Sequence, residues 1–132
     1  MTSLLLLLAL SSASTEEVTR FLDNFVESFE NLEWDRFRLL FSDEATVFFP
    51  APYGRERASG RAAVEAGFRA VFERWRKERP DPPHLDIEPR DVKISTYGDI
   101  FIVSFHLGDG ESLSRRTFVL GRERGELKIL HL

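Results

Sequence analysis

The sequence predicts an α+β domain, cone-shaped, with three N-terminal helices packed on a curved antiparallel sheet. Three observations lead there. Apolar residues recur at helical spacing through the first quarter of the chain and again between Arg61 and Glu78. Short alternating runs divided by glycine turns fill the last third. Between them, Leu85 and Ile87 share one parity while Val92 and Ile94 share the other. A switch at Pro89-Arg90 is what a bulge in a long strand produces, and a bulge bends a sheet.

In chain order, Ser14 followed by Glu17 has the pattern of a capping box, so the first helix is expected over 15–31. Val18, Phe21, Leu22, Phe25, Phe29 and Leu32 make its buried stripe, with Asn31 at its end. A second, shorter helix should bury Trp34, Phe37, Leu40 and Phe41 and stop near Ser42. Ala45 to Phe49 reads as a strand closed by Pro50 and Pro52, and Pro50 to Gly60 as a loop. Ser59 is placed to cap a third helix, Arg61 to Glu78, whose inner face is Val64, Phe68, Val71, Phe72 and Trp75. Gly67 inside it costs about 1 kcal/mol relative to alanine, which implies a close approach by another backbone or a ring. Pro80-Asp81-Pro82-Pro83 ends the helix. Turns at Gly98-Asp99, Gly108-Asp109-Gly110 and Gly125 then divide a meander of strands. A bent sheet wrapped on a long helix leaves a hollow, with its mouth beside the loop at Pro50 to Gly60.

Composition bounds the function. The 132 residues suit one domain, taken as 14–132, and 42% hydrophobic with 30% charged residues marks a globular chain. The net charge of -4 argues against a nucleic-acid partner, which selects a basic face. The basic stretch Arg69, Arg74, Arg76, Lys77 and Arg79 is interleaved with Glu73 and Glu78, as on a solvated helix face. Without cysteine there is no disulfide, thiolate metal site or cysteine nucleophile. His84, His106 and His131 lack metal-ligand spacing, and no phosphate-binding glycine loop or serine-nucleophile motif occurs, so neither metal nor cofactor is implied.

Residues 1–13 stand apart. The run Leu4 to Leu10 followed by Ser11-Ser12-Ala13 reads either as a secretory signal or as a retained extension packed on the domain or on a partner chain. The first places the protein outside the cell or in the periplasm, the second in the cytoplasm. The run is too short for a membrane span, which takes about 20 residues.

The order of elements resembles the nuclear-transport-factor-2-like superfamily, in particular its SnoaL-like branch. The residues that carry the likeness are Trp34-Asp35, Phe41-Ser42-Asp43-Glu44-Ala45, Gly60-Arg61-Ala62-Ala63, Arg115 to Leu120 and the closing Leu127-Lys128-Ile129-Leu130-His131-Leu132. The last resembles a W-K-I-V-H-x-H-x-S ending with Leu127 in place of Trp, and the second His and the Ser are not matched. The resemblance implies the cone fold and a pocket. It does not choose among the isomerases, dehydratases, cyclases, assembly domains and binders that share the fold. The Tyr and protonated Asp of the superfamily's ketosteroid isomerases have no counterpart, since the two tyrosines are Tyr53 in a loop and Tyr97 at a strand end.

An enzyme of this shape needs an acid or base inside the apolar cone. The residues weighed are Asp35, Asp99, His106, Arg116 and His131. The candidate catalytic base is His131 or Asp35: His131 shares parity with Leu127 and Ile129, and Asp35 follows Trp34 on the short second helix. His106 alternates away from Phe101, Val103 and Phe105 and is expected outside, and Asp99 is a turn residue. Arg115 and Arg116 have opposite parities, so one faces inward. Parity does not choose between them; Arg116 is the candidate ligand-binding arginine, beside a set of rings. The rings of that set are Phe25, Trp34, Phe68 and Trp75 from helices, with Phe49, Tyr53 and Phe101 from the strands and loop.

Three functions stay open at this level: a pocket for a small apolar or aromatic ligand, a lyase, isomerase or cyclase, and an oligomerisation module like the kinase II association domain. A homodimer suits all three. Both parities of Phe118-Val119-Leu120 are apolar, so a second subunit can cover the outer sheet face.

Overall fold

The first helical stripe belongs to a longer element than its capping box suggests. Helix α1 spans Thr2–Glu30 in the computed structural model, which describes residues 2–50, 56–108 and 113–132, with side chains from residue 15 onward. The backbone is already helical at Ser14, so Ser14 and Glu17 do not open the helix. Glu17 instead pairs with Arg122 at 2.7 Å and ties the helix to the sheet. Val18, Phe21, Leu22 and Phe25 are buried as their spacing requires. The chain reverses at Leu32, whose left-handed backbone (φ 50°) is unusual for a branched residue. Burial of its side chain offsets that strain.

Helix α2, Trp34–Arg38, is one turn shorter than its apolar residues imply. Leu40 and Phe41 are buried, but outside the helix: the Leu40 carbonyl accepts the Ile129 amide at 2.7 Å, and strand β1, Phe41–Phe48, begins at the next residue. A distant strand thus takes over backbone groups that local spacing assigns to a helix. A short strand β2, Arg57–Ser59, lies within the segment expected to be loop and pairs with β1. Helix α3, Arg61–Glu78, has the expected bounds. Its N-cap is Gly60 at φ 86°, with no side-chain cap, because Ser59 is committed to the ladder opposite Thr46. Arg38 Nε and Arg61 Nε lie 3.2 and 3.6 Å from the Glu65 carboxylate, close enough to pair as ions though misaligned for hydrogen bonds. This cluster joins α2 to the start of α3.

Strands β3 (Glu88–Tyr97), β4 (Ile100–Gly108), β5 (Leu113–Glu123) and β6 (Glu126–His131) form the expected antiparallel meander. The sheet runs β2-β1-β6-β5-β4-β3 and is mixed, since β1 lies parallel to β6. The expected bulge is present: the β3–β4 register shifts between Arg90 and Lys93, with Asp91 at φ 53°. Leu85 and Ile87 precede the strand. The curved sheet lays its inner face, including Phe101, Val103, Phe105, Phe118 and Leu120, against the three helices, giving the α+β cone. The turn residues Asp109 and Gly110 and the loop residues Pro52 and Tyr53 lie outside the described residues. Among the described residues no helix is long and apolar enough to cross a membrane.

Candidate functional site

A hollow of about 340 Å3 remains between the helices and the concave sheet face. Its size suits a small organic ligand. Each wall follows from a local periodicity. Helix α1 contributes Phe25 and Phe29, one turn apart, and α3 contributes Phe68, Val71 and Trp75 from one stripe. Strand β5 presents Ser114, Arg116 and Phe118 at alternate positions on its inner side. The strap after α3 adds Leu85, Asp86 and Ile87. That strap is held by one residue at the end of α1: the Glu30 carbonyl accepts the His84 and Leu85 amides, and the Glu30 carboxylate accepts the Ile87 amide at 3.0 Å.

The polar groups are few. Arg116 is half-buried in the wall and has no hydrogen bond or ion pair among the described residues. Burial pushes its guanidinium below the usual arginine range. It stays charged at neutral pH, as arginines do, and is therefore a desolvated cation without a counterion. Ser114 donates to the Leu107 carbonyl at 3.3 Å. Arg74, Arg79 and Asp86 also line the hollow and are exposed; Arg74 pairs with Glu78 at 3.0 Å. Apolar and aromatic walls around one half-buried cation select a flat apolar body bearing an anionic oxygen pair, which a guanidinium fork can grip with two bonds.

Of the residues singled out from sequence, Phe25, Phe49, Phe68, Trp75 and Arg116 line this hollow. Trp34 does not. Its ring stands edge-on to Phe72 at 5.4 Å and carries the Arg69 guanidinium at 5.0 Å. Phe101 is on the concave face but is core, paired with Leu120 and Thr96 away from the hollow. Tyr53 lies outside the described residues. Asp35 is exposed in the first turn of α2 and is not a lining residue. Asp99 is in the β3–β4 turn, and His106 is opposite Arg90 and Arg115 on the convex side.

His131 corrects the parity argument. In the β5–β6 ladder Leu120 faces Ile129 but Val119 faces His131, so Leu130 is an extra residue in β6. One bulge reverses the faces of all that follows. His131 turns to the convex side, where Nδ1 shares a hydrogen bond of 2.7 Å with the Thr46 hydroxyl and the ring meets Phe48 edge-on at 5.6 Å. Leu132 turns inward and lines the hollow instead. Phe29, Ser114 and Phe118 were not singled out, yet each could have been: Phe29 is one helical turn from Phe25, and the other two share parity with Arg116. Leu132 and Asp86 had no such signal. Among the described residues no group of His, Asp or Glu is arranged to hold a metal.

Comparison with known proteins matches residues 18–132 to the SnoaL-like domain. No curated protein is similar enough to match. Solved structures share the fold at low identity. An NTF2-like protein of unknown function from Pseudomonas putida is 14% identical, with 91% of this chain and 84% of the other covered and a TM-score of 0.70. A candidate dehydratase of the NTF2-like family from Streptomyces avermitilis is 17% identical over 92% and 94%, also at 0.70. The CaMKII hub of S. rosetta is 16% identical over 88% and 91%, at 0.58.

Proposed function

The chain belongs to the SnoaL-like domain family, and from that premise we propose that its cone binds a small aromatic or apolar carboxylate, with the acid group on Arg116 and the rings around its body. The observation that carries this reading is the half-buried guanidinium, unpaired among the described residues, in a largely apolar wall. A buried cation without a partner destabilises the empty protein, and an anionic ligand supplies what it lacks. The catalytic alternative, with Asp35 or His131 as base, has less support, because neither side chain lines the hollow.

The test compares 2-naphthoate with neutral 2-naphthol by calorimetry and thermal shift. The carboxylate should stabilise the protein and bind more tightly. Arg116→Met should weaken naphthoate about 10- to 100-fold, the worth of a charge-assisted bond, and leave naphthol unchanged. Naphthoate binding untouched by the substitution overturns the reading.

The partner proposed for the convex face is a second copy of this chain. Ile100, Ile102, Val119 and Leu130 are apolar, only half-buried and on that face, and Gly121 lacks the Cβ that would meet Leu130 Cδ1 at 2.7 Å. Light scattering at micromolar concentration should give twice the chain mass. A monomer removes the dimer and leaves the pocket untouched.

A further inference from the structure

Gly67 occupies the middle of α3, where glycine is the poorest helix former apart from proline. The reason is across the cone. A Cβ at this position would lie 2.5 Å from Phe49 Cζ and closer still to Cε2, distances at which one group must move. The Phe49 ring therefore rests on bare helix backbone.

That ring packs at the margin of the core rather than inside it. Phe49 follows the last residue of β1, whose ladder closes with the Phe48 amide on the Leu132 carbonyl at 3.0 Å. The next residue is Pro50, which has no amide to donate. Among the described residues the ring that meets Phe49 is Phe68, edge-on at 4.8 Å, itself on α3 next to Gly67. Phe49, Pro50, Phe68 and Trp75 all line the hollow. With α3 behind it and Phe68 beside it, the ring also borders the cavity, into which it can yield. The depth of the seat on α3 thus sets how far the ring intrudes.

Resting on the ligand reading above, we propose that Gly67 is the specificity-determining residue of the cavity: it seats Phe49 as a movable aromatic wall and so fixes the upper size of the apolar body that fits. The wild-type hollow admits a fused two-ring body. A methyl group at 67 drives the ring inward and leaves room for one ring only.

Gly67→Ala tests this with two acids, benzoate and 2-naphthoate, and with phenol and 2-naphthol as neutral counterparts that do not depend on Arg116. The expected result is a tenfold or greater loss for both two-ring probes and less than a twofold change for both one-ring probes. In a Phe49→Ala background, Gly67→Ala should lose that discrimination. Equal loss for one- and two-ring probes, or discrimination that survives without the Phe49 ring, overturns the proposal.

Melting temperature supplies a readout free of any ligand. Gly67→Ala should lower it in the wild type, where the methyl meets the ring, and raise it in Phe49→Ala, where helix propensity acts alone. The same sign in both backgrounds also overturns the proposal. Should Arg116→Met leave naphthoate binding intact while Gly67→Ala still sorts probes by size, the carboxylate reading fails and the seat stands.

Discussion

Phe37 and Phe49 are the same side chain in two opposite situations. Phe37 is fully buried, with the rings of Phe25, Phe29, Phe41, Phe68 and Phe72 at centroid distances of 4.9 to 5.4 Å. Phe49 is half-buried, meets Phe68 and rests its other side on a glycine. At the first end of the cone the rings interlock and fill space; at the second they stand around a space. An aromatic-rich composition does not itself make a pocket. What separates the two ends is whether rings arrive from enough elements to plug the volume between them.

Breaking the packed end should have the largest effect. Phe37→Ala is expected to cost about 3–5 kcal/mol in urea unfolding, the range for a fully enclosed ring, whereas Phe49→Ala should cost about 1 kcal/mol. Equal losses would mean that the two ends are energetically alike.

Arg116 sharpens the comparison from the open side. Its burial without a partner predicts that Arg116→Met stabilises the empty protein by about 1 kcal/mol while removing carboxylate binding, a trade between fold and site. Burial lowers the proton affinity of this base, so the folded state regains stability only as pH rises toward its titration, far above neutral. The gain in Arg116→Met should therefore be flat from about pH 5 to 9. A destabilised variant would reveal a structural partner and weaken the ligand reading.

The smallest effect concerns the tie between α1 and the sheet. The hydrogen bond from Arg122 is the main cause holding the Glu17 carboxyl below the ordinary carboxylate range. Its contribution is complete above that range and is lost as pH falls through the lowered value. Both side chains are partly exposed, so the difference between wild type and Glu17→Gln should be under about 1 kcal/mol at pH 7. It should shrink toward zero below about pH 4, which urea titrations at several pH values would read.

Much of the architecture was legible in the residues alone, because it rests on local periodicity. The stripes from Val18 to Phe25 and from Val64 to Phe72, the bend near Arg90 and the glycine turns each follow from spacing and backbone preference within a few positions. Alternation placed Arg115 and Arg116 on opposite faces, and Gly67 announced a close neighbour. What spacing could not reach was decided by partners far along the chain. Leu40 and Phe41 leave helical register because β6 offers them a parallel ladder. A single extra residue at Leu130 sends His131 outward and brings Leu132 in. Arg116 rather than Arg115 reaches the hollow because the ladder seats it between Ser114 and Phe118 on the inner face. Hydrogen-bond register between strands has no local code, and a shift of one residue exchanges the two faces of a strand. The periodic elements were therefore set by sequence, while the identity of the groups facing the cavity was settled only when the strands met.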